Sequence, residues 1–328
     1  MKKSIPLLVS TVEDINIESN IIFSNYSNLV KEKKTKEGFT LNILVVGRRG
    51  LGCKTLINSI FSSPIIKQQR EDLETFTCQL YENEVCLNLT TTTTHKMNKE
   101  SIENFINDRY ISHFQKEQGL VKKKFDERIH VCVFLIPNDN ITQNEIEIME
   151  MLSQKVNLVP VIAKSDSYTL HELSQKKNEI KNLLKAKKIN VFTPDENETK
   201  DYEVSNEILN IVTRFPLAVT SSEEIIIKND ISIRVRKYPW GSIDIEGEPT
   251  NDFLTLRKIL IGFNLIDLIY ETETVFYNNF RYEMICSQKN DKEAIKKRLN
   301  LIRIELEKLL MESIKEENND ETRVVEVV

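Results

Sequence analysis

Glycine is scarce in this chain, with eight residues in 328, and so are histidine (four), cysteine (five) and tryptophan (one). The four histidines, His95, His113, His130 and His171, are too scattered for a metal site or a catalytic triad. The cysteines, Cys53, Cys78, Cys86, Cys132 and Cys286, show no C-x-x-C spacing, and three fall in strand-like runs. That usage fits reduced, mostly buried thiols of an intracellular protein. Basic excess is missing too: the net charge of -5 and pI near 5.7 argue against a general nucleic-acid binder. No apolar run reaches membrane-spanning length. Met1–Val9 begins like a leader, but its apolar stretch is short and acidic residues follow. The chain is therefore read as soluble and cytoplasmic.

Against that scarcity, three glycines cluster in Gly47-Arg48-Arg49-Gly50-Leu51-Gly52. Leu41–Val46 runs into this loop as a buried strand, and residues 53–61 leave it as a helix with Leu56, Ile57 and Ile60 on one side. Strand, glycine loop and helix are the setting in which G-x-x-x-x-G-K-[ST] signifies a phosphate cradle. Backbone N–H groups turned inward and the helix N-terminus would hold a pyrophosphate. The first six positions match. The seventh, ordinarily the lysine on the β/γ-phosphates, is Cys53; the eighth, ordinarily the Mg²⁺-holding Ser/Thr, is Lys54. A one-residue slip would let Lys54-Thr55 supply that pair, but it forfeits both framing glycines. It also rotates each helical side chain by about 100°.

From residue 38 to about 222, short β-rich runs alternate with longer helical ones. Strands are expected at 41–46, 85–91, 131–136, 157–162 and 217–220, and helices at 53–61, 99–117, 143–155, 169–186 and 201–213. This alternation predicts an α/β fold, a mainly parallel sheet sandwiched by helices, with ligands at the carboxyl ends of the strands. A β-meander is expected over 224–245 and a helix over 253–270. Residues 1–37 form a polar leading segment ending in the basic run Lys31, Lys33, Lys34 and Lys36. That run reads either as a solvated surface or as a contact for anionic lipid. In the charged tail 286–328, Ile295, Leu299, Ile302, Leu306 and Leu309 are spaced 4-3-4-3. They form a short coiled-coil seam or the apolar face of a helix packed on its own domain.

Val159–Ala163 leads into Lys164-Ser165-Asp166. A buried strand ending in Lys-x-Asp suits guanine recognition, because the carboxylate accepts from the guanine edge while the lysine stem covers the ring. Such charge-assisted bonds contribute about 1.5–3 kcal/mol. The Asp-x-x-Gly expected near residue 90 for Mg²⁺ and the γ-phosphate is absent. Leu87–Leu89 instead runs into Thr90–Thr94, His95 and Lys96, a β-branched strand without an acidic ligand.

Over roughly residues 38–285 the chain resembles a septin. The markers are Gly38-Phe39, the glycine loop followed by Thr55–Asn58, Arg128–Cys132, Val156–Asp166, Pro216–Val219 and Tyr238-Pro-Trp-Gly241. The last is the most specific and holds the sole tryptophan; residues 224–285 would be the septin-specific extension. The resemblance implies a P-loop GTPase-like domain that joins other septin subunits in hetero-oligomeric filaments. Contact would run through one face across the nucleotide and another through the terminal helices, at the cortex or division site. GTP or GDP would be bound with Gly47, Gly50, Gly52 and Thr55 on phosphate, Lys164 and Asp166 on guanine, and Arg236 against the base, while the Lys54 ammonium, standing where Mg²⁺ would be held, would neutralise phosphate in its place. Thr77 falls near a switch threonine. Cys53, Lys54, Thr93, His95 and Lys96 depart from the family's Lys-Ser and Asp-Thr-Pro-Gly. Ser221 stands for a glycine near guanine, and Ser153 for a histidine of the nucleotide-side interface. These departures argue against Mg²⁺ and against useful hydrolysis, so no catalytic or metal-binding residue is assigned. A slow GTPase in the slipped frame and a nucleotide-free scaffold stand as alternatives.

Overall fold

The computed structural model describes residues 38–67, 72–82, 85–118, 126–194, 211–228, 231–247, 251–262 and 264–287. The basic run at 31–36, the seam from Ile295 to Leu309 and most of the expected 201–213 helix lie outside them. In chain order come β1 (Phe39–Val46), α1 (Cys53–Ile60), β2 (Thr75–Glu82), β3 (Val85–Thr94), α2 (Lys99–Gln118) and β4 (Val131–Ile136). Then follow α3 (Gln143–Lys155), β5 (Asn157–Ala163), α4 (Leu170–Ala186) and β6 (Leu217–Val219). The meander β7 (Ile225–Lys228), β8 (Ile231–Tyr238) and β9 (Gly241–Asp244) precedes α5 (Phe253–Ile261) and α6 (Leu265–Glu271).

Six strands make one sheet in the order β2-β3-β1-β4-β5-β6, parallel except for β2. β1, β4 and β5 lie inside it with helices on both faces, which is why their sequences read as unbroken apolar runs. β1 shows how the two layers are fed. Leu41, Ile43 and Val45 pack with Leu56, Ile57 and Ile60 of α1 and with Leu256 and Ile259 of α5. Leu44 and Val46 face Ile102 and Ile106 of α2, Met149 and Leu152 of α3, and Ile180 of α4. The period of two along a strand thus builds two cores from one segment. Pro160 is tolerated within β5 because of where its missing donor points. On that flank the Leu158 carbonyl accepts the Phe192 N–H at 2.8 Å, and β6 pairs only from Val161 onward.

Two expectations need correction. The segment Thr75–Glu82, with Phe76, Cys78 and Leu80 alternating, is an edge strand antiparallel to β3, which runs on to Thr94. The single helix expected over 253–270 is two. Gly262 breaks it: a Cβ there would meet the Lys258 carbonyl oxygen at 2.6 Å, and the chain restarts at Leu265. Helical structure then continues through a π-helical stretch, Thr272–Tyr277, to residue 287. Among the described residues no helix is long and apolar enough to cross a membrane.

Candidate functional site

β1 delivers the glycine loop to the carboxyl edge of the sheet, where the Gly47 N–H donates to the Thr94 carbonyl at 3.2 Å. Gly47 is required by close approach, since a Cβ would lie 2.9 Å from that of Leu135 and 3.1 Å from Cys53 Sγ. Gly52 is required by conformation: at φ 91° it caps α1, its carbonyl accepting the Leu56 N–H at 2.8 Å. α1 therefore begins at Cys53, which favours the unslipped frame.

The Arg48 guanidinium is turned away from the cradle. Arg48 points sideways, its Nε 2.6 Å from Glu145 Oε1 and its terminal nitrogens 2.6 Å from Glu145 Oε2 and 2.8 Å from Asp139. Its charge pins the loop to the start of α3 rather than serving phosphate. The hydrogen bond to Glu145 raises the Arg48 pKa, which burial alone would lower. Burial also disfavours the Glu145 carboxylate, but hydrogen bonds from Arg48 and Thr142 outweigh it and lower that pKa. Cys53 is buried under the loop, where burial pushes its thiol up to about 12, so it brings neither charge nor nucleophile. Lys54 donates from Nζ to the Lys67 carbonyl at 2.7 Å, binding α1 to the α1–β2 loop.

The other end of that loop is tied down by a residue the sequence did not single out. The Asp72 carboxylate accepts from Thr94 Oγ1 at 3.0 Å and from the His95 N–H at 3.1 Å. The strand end that lacks its acidic residue is thus capped by a carboxylate arriving from another segment.

Beside the loop opens a cavity of about 400 Å³, lined by Gly50, Gly52, Thr55, Lys164, Ser221 and Arg236 among others. That volume lies within the range of small-molecule sites. Gly47, Lys54, Thr94, Asp72 and Asp166 are absent from its described lining. At its far end Lys164 adopts φ 53°, which turns the chain so that Ser165 and Asp166 fold under β6. Thr220 supports them. Its hydroxyl accepts from the Asp166 N–H at 3.0 Å and donates to Asp166 Oδ1 at 3.1 Å, while its own N–H donates to Asn251 Oδ1 at 3.0 Å. Thr220 and Asn251 carry no motif, and only the fold reveals them. Arg236 Nε lies 3.6 Å from Asp166 Oδ2, and its guanidinium sits 5.4 Å from the Tyr238 ring. Tyr238 stacks in turn on Trp240, centroids 5.1 Å apart, and Trp240 is 83% exposed. Thr77 is not brought to the cavity; β2 holds it opposite Thr90. Ser153 stays on α3, its hydroxyl donating to the Glu150 carbonyl.

The residues present fit a guanine nucleotide: a carboxylate with a lysine at one end and, at the other, a glycine loop closed to a Cβ at Gly47 and held at positive φ at Gly50 and Gly52. They do not fit Mg²⁺. An ammonium occupies the position of the metal-holding hydroxyl, Thr93 stands where an aspartate would, and the replacement carboxylate of Asp72 is engaged by Thr94 and His95.

The sequence model for septins matches residues 37–294. Cell division control protein 10 of Encephalitozoon cuniculi is 42% identical over 295 residues, covering 90% of this chain and 82% of its own length. Septin-2A of Xenopus laevis is 30% identical over 286 residues, covering 80% of each chain. The crystal structure of the septin GTPase domain from Chlamydomonas reinhardtii superposes with a TM-score of 0.59 at 19% identity, covering 75% of this chain and 99% of that one. With the glycine loop, Lys164 of the Lys-x-Asp strand end and Arg236 just ahead of the Tyr-Pro-Trp-Gly turn lining one cavity, and a family match across most of its length, this chain belongs to the septin family.

Proposed function

We propose that this septin is a structural subunit of hetero-oligomeric filaments serving cell division at the cortex, holding a guanine nucleotide as a built-in ligand without turning it over. One observation carries the reading. At the base-recognising end Lys164 and Arg236 line the cavity and Asp166 sits behind them, paired with Arg236, while the groups that would polarise a terminal phosphate are replaced by Cys53, Lys54 and Thr93. Phosphoryl transfer depends on positioned cations and a metal at the β/γ-phosphates. A site without them binds but does not catalyse. Gly47, Gly50 and Gly52 would present amides to phosphate, Thr55 would meet the α-phosphate, and Asp166 would accept from the guanine edge. The exposed Tyr238–Trp240 stack beside the cavity mouth is the kind of aromatic anchor that interfaces bury at their centres. It supports a subunit contact across the nucleotide, and the basic run Lys31 to Lys36 remains a candidate membrane contact.

The test is to purify the full chain, denature it and identify what is released by chromatography. Stoichiometric guanine nucleotide is expected, together with filaments by electron microscopy in low salt when sister septins are added. A second reading, a nucleotide-free scaffold, draws on one feature: Thr220 and Arg236 already satisfy Asp166 without a ligand. An empty protein whose melting temperature is unmoved by added GDP or GTP would decide for it. The slipped-frame GTPase has less support, because Lys54 is spent on the Lys67 carbonyl. Phosphate release abolished by Lys54→Ala would revive it.

A further inference from the structure

Most charges around the glycine loop are already committed. Arg48 is held by Glu145 and Asp139, and Lys54 by the Lys67 carbonyl. At the end of β3, Asp72 is engaged by Thr94 Oγ1 and the His95 N–H. Within the cavity, Arg236 pairs with Asp166 and Lys237 with Glu224. Three exposed cations of the surrounding loops, Arg49, Lys67 and Lys96, have no side-chain partner among the described residues; Lys67 and Lys96 enter hydrogen bonds through their carbonyls alone. Of the three, only Arg49 belongs to the glycine loop. The Leu51 N–H donates to the Arg48 carbonyl at 3.2 Å, closing a four-residue turn with Arg49 and Gly50 at its centre. Gly50 lines the cavity and takes φ 91°, the positive φ that the third residue of a type II turn requires. A Cβ on Gly50 would meet nothing within 4 Å, so the space beside the turn is open. Arg49 thus stands at the crown of the loop, one peptide bond from the cavity wall, with its guanidinium uncommitted. Arg48 meanwhile anchors the same loop to α3, so the backbone that carries Arg49 is held while its side chain can turn over the cavity mouth.

We propose that Arg49 neutralises the phosphates beyond the first in this site, as a guanidinium carried on the loop in place of the lysine and Mg²⁺ that it lacks. A guanidinium offers paired N–H donors to phosphate oxygens and keeps its charge at any physiological pH, so it needs no metal to do this. The proposal rests on the guanine-nucleotide reading given above and deepens it by naming the group that would hold the terminal phosphates.

Calorimetric titration of the nucleotide-stripped full chain with GMP, GDP and a non-hydrolysable GTP analogue, in EDTA and then in Mg²⁺, tests it. Arg49→Ala is expected to weaken GDP and the triphosphate by about tenfold or more, as loss of a charge-assisted hydrogen bond does, and to leave GMP unchanged. Arg49→Lys, which keeps the charge and loses the fork, should fall between. Lys67→Ala and Lys96→Ala should leave all three affinities as they are, and Mg²⁺ should not tighten the triphosphate in the unmodified chain. Because Arg49 is exposed, its replacement should not move the melting temperature without nucleotide, which separates lost binding from lost folding. An Arg49→Ala chain that binds GDP and the triphosphate as well as the unmodified one, or that loses GMP to the same degree, would overturn the role of Arg49. So would a loss seen in Lys67→Ala or Lys96→Ala instead, or a triphosphate tightened by Mg²⁺. Failure of all three nucleotides to bind the unmodified chain would instead remove the guanine-nucleotide reading itself.

Discussion

Asp166 shows how one side chain is prepared for a task by residues distant in sequence. Thr220, 54 positions on, holds both its N–H and its Oδ1, and Arg236 closes on Oδ2. The carboxylate is thereby held in a fixed direction, as the proposed guanine contact requires. Asp166→Asn should weaken GDP binding by at least about tenfold, the loss of a charge-assisted hydrogen bond being worth about 1.5–3 kcal/mol; calorimetry reads it directly. Cys53 gives the opposite case, a motif position turned into core. With its thiol pushed up to about 12 and its side chain 1% exposed, it should resist iodoacetamide at pH 8 in the native protein. It should be modified only after denaturation, as peptide mapping would show.

Between elements, the glycine loop is fixed less by its own sequence than by α3. Glu145 serves two roles there: it closes the capping box with Thr142 and receives the Arg48 fork. Its side chain is 1% exposed while that of Arg48 is 29% exposed, so the pair stands between surface and buried ion pairs. Arg48→Ala should cost about 2 kcal/mol in urea unfolding, because it strands a buried carboxylate. The Cys53–Ile60 helix is tied likewise to the cavity wall, with Ser59 Oγ donating to the Ser222 carbonyl at 2.7 Å. Residues 31 and 97 apart in the chain cannot be matched by periodicity or spacing, which is why neither Asn251 nor Glu145 was legible as part of the site.

Across the whole molecule, the sheet separates two centres. The carboxyl edge carries the cavity; the opposite edge carries a polar cluster that fastens the terminal helix. Asp126 accepts from Arg128 Nε at 2.9 Å and lies 3.4 Å from His130 Nε2, while Arg128 also pairs with Glu273 and stacks over Tyr277. Burial works against the Asp126 carboxylate, but hydrogen bonds from His130 and Arg128 outweigh it and hold its pKa well below the usual carboxylate range. A depressed folded pKa contributes stability above the unfolded value near 4 that is lost as the pH falls toward the folded one. The melting temperature should therefore drop as pH falls below about 4. Asp126→Asn should be less stable at pH 7 with a shallower acid slope. In the small three-stranded sheet, Trp240 is exposed and its ring stacks on Tyr238. Trp240→Ala should leave the monomer's stability within about 0.5 kcal/mol, as for most surface changes, yet weaken subunit association in sedimentation velocity.

The sequence by itself determined the parts whose physics is local. These are the buried strand and glycine loop leading into an amphipathic helix, the continuous apolar runs of β4 and β5, the Lys-x-Asp strand end, and the family of the chain through its turn at Tyr238. Even some local signals were missed: the alternation in Thr75–Glu82, left unassigned, is that of a strand, and Gly262 stops the helix expected over 253–270. Tertiary structure alone decided where charge goes. Arg48 could have faced phosphate but meets Glu145, Lys54 could have neutralised a ligand but binds the Lys67 carbonyl, and Asp72 restores a carboxylate to a strand that lost one. Long charged side chains reach any of several partners with little cost in geometry, and the choice falls to whichever acceptor the fold has already desolvated.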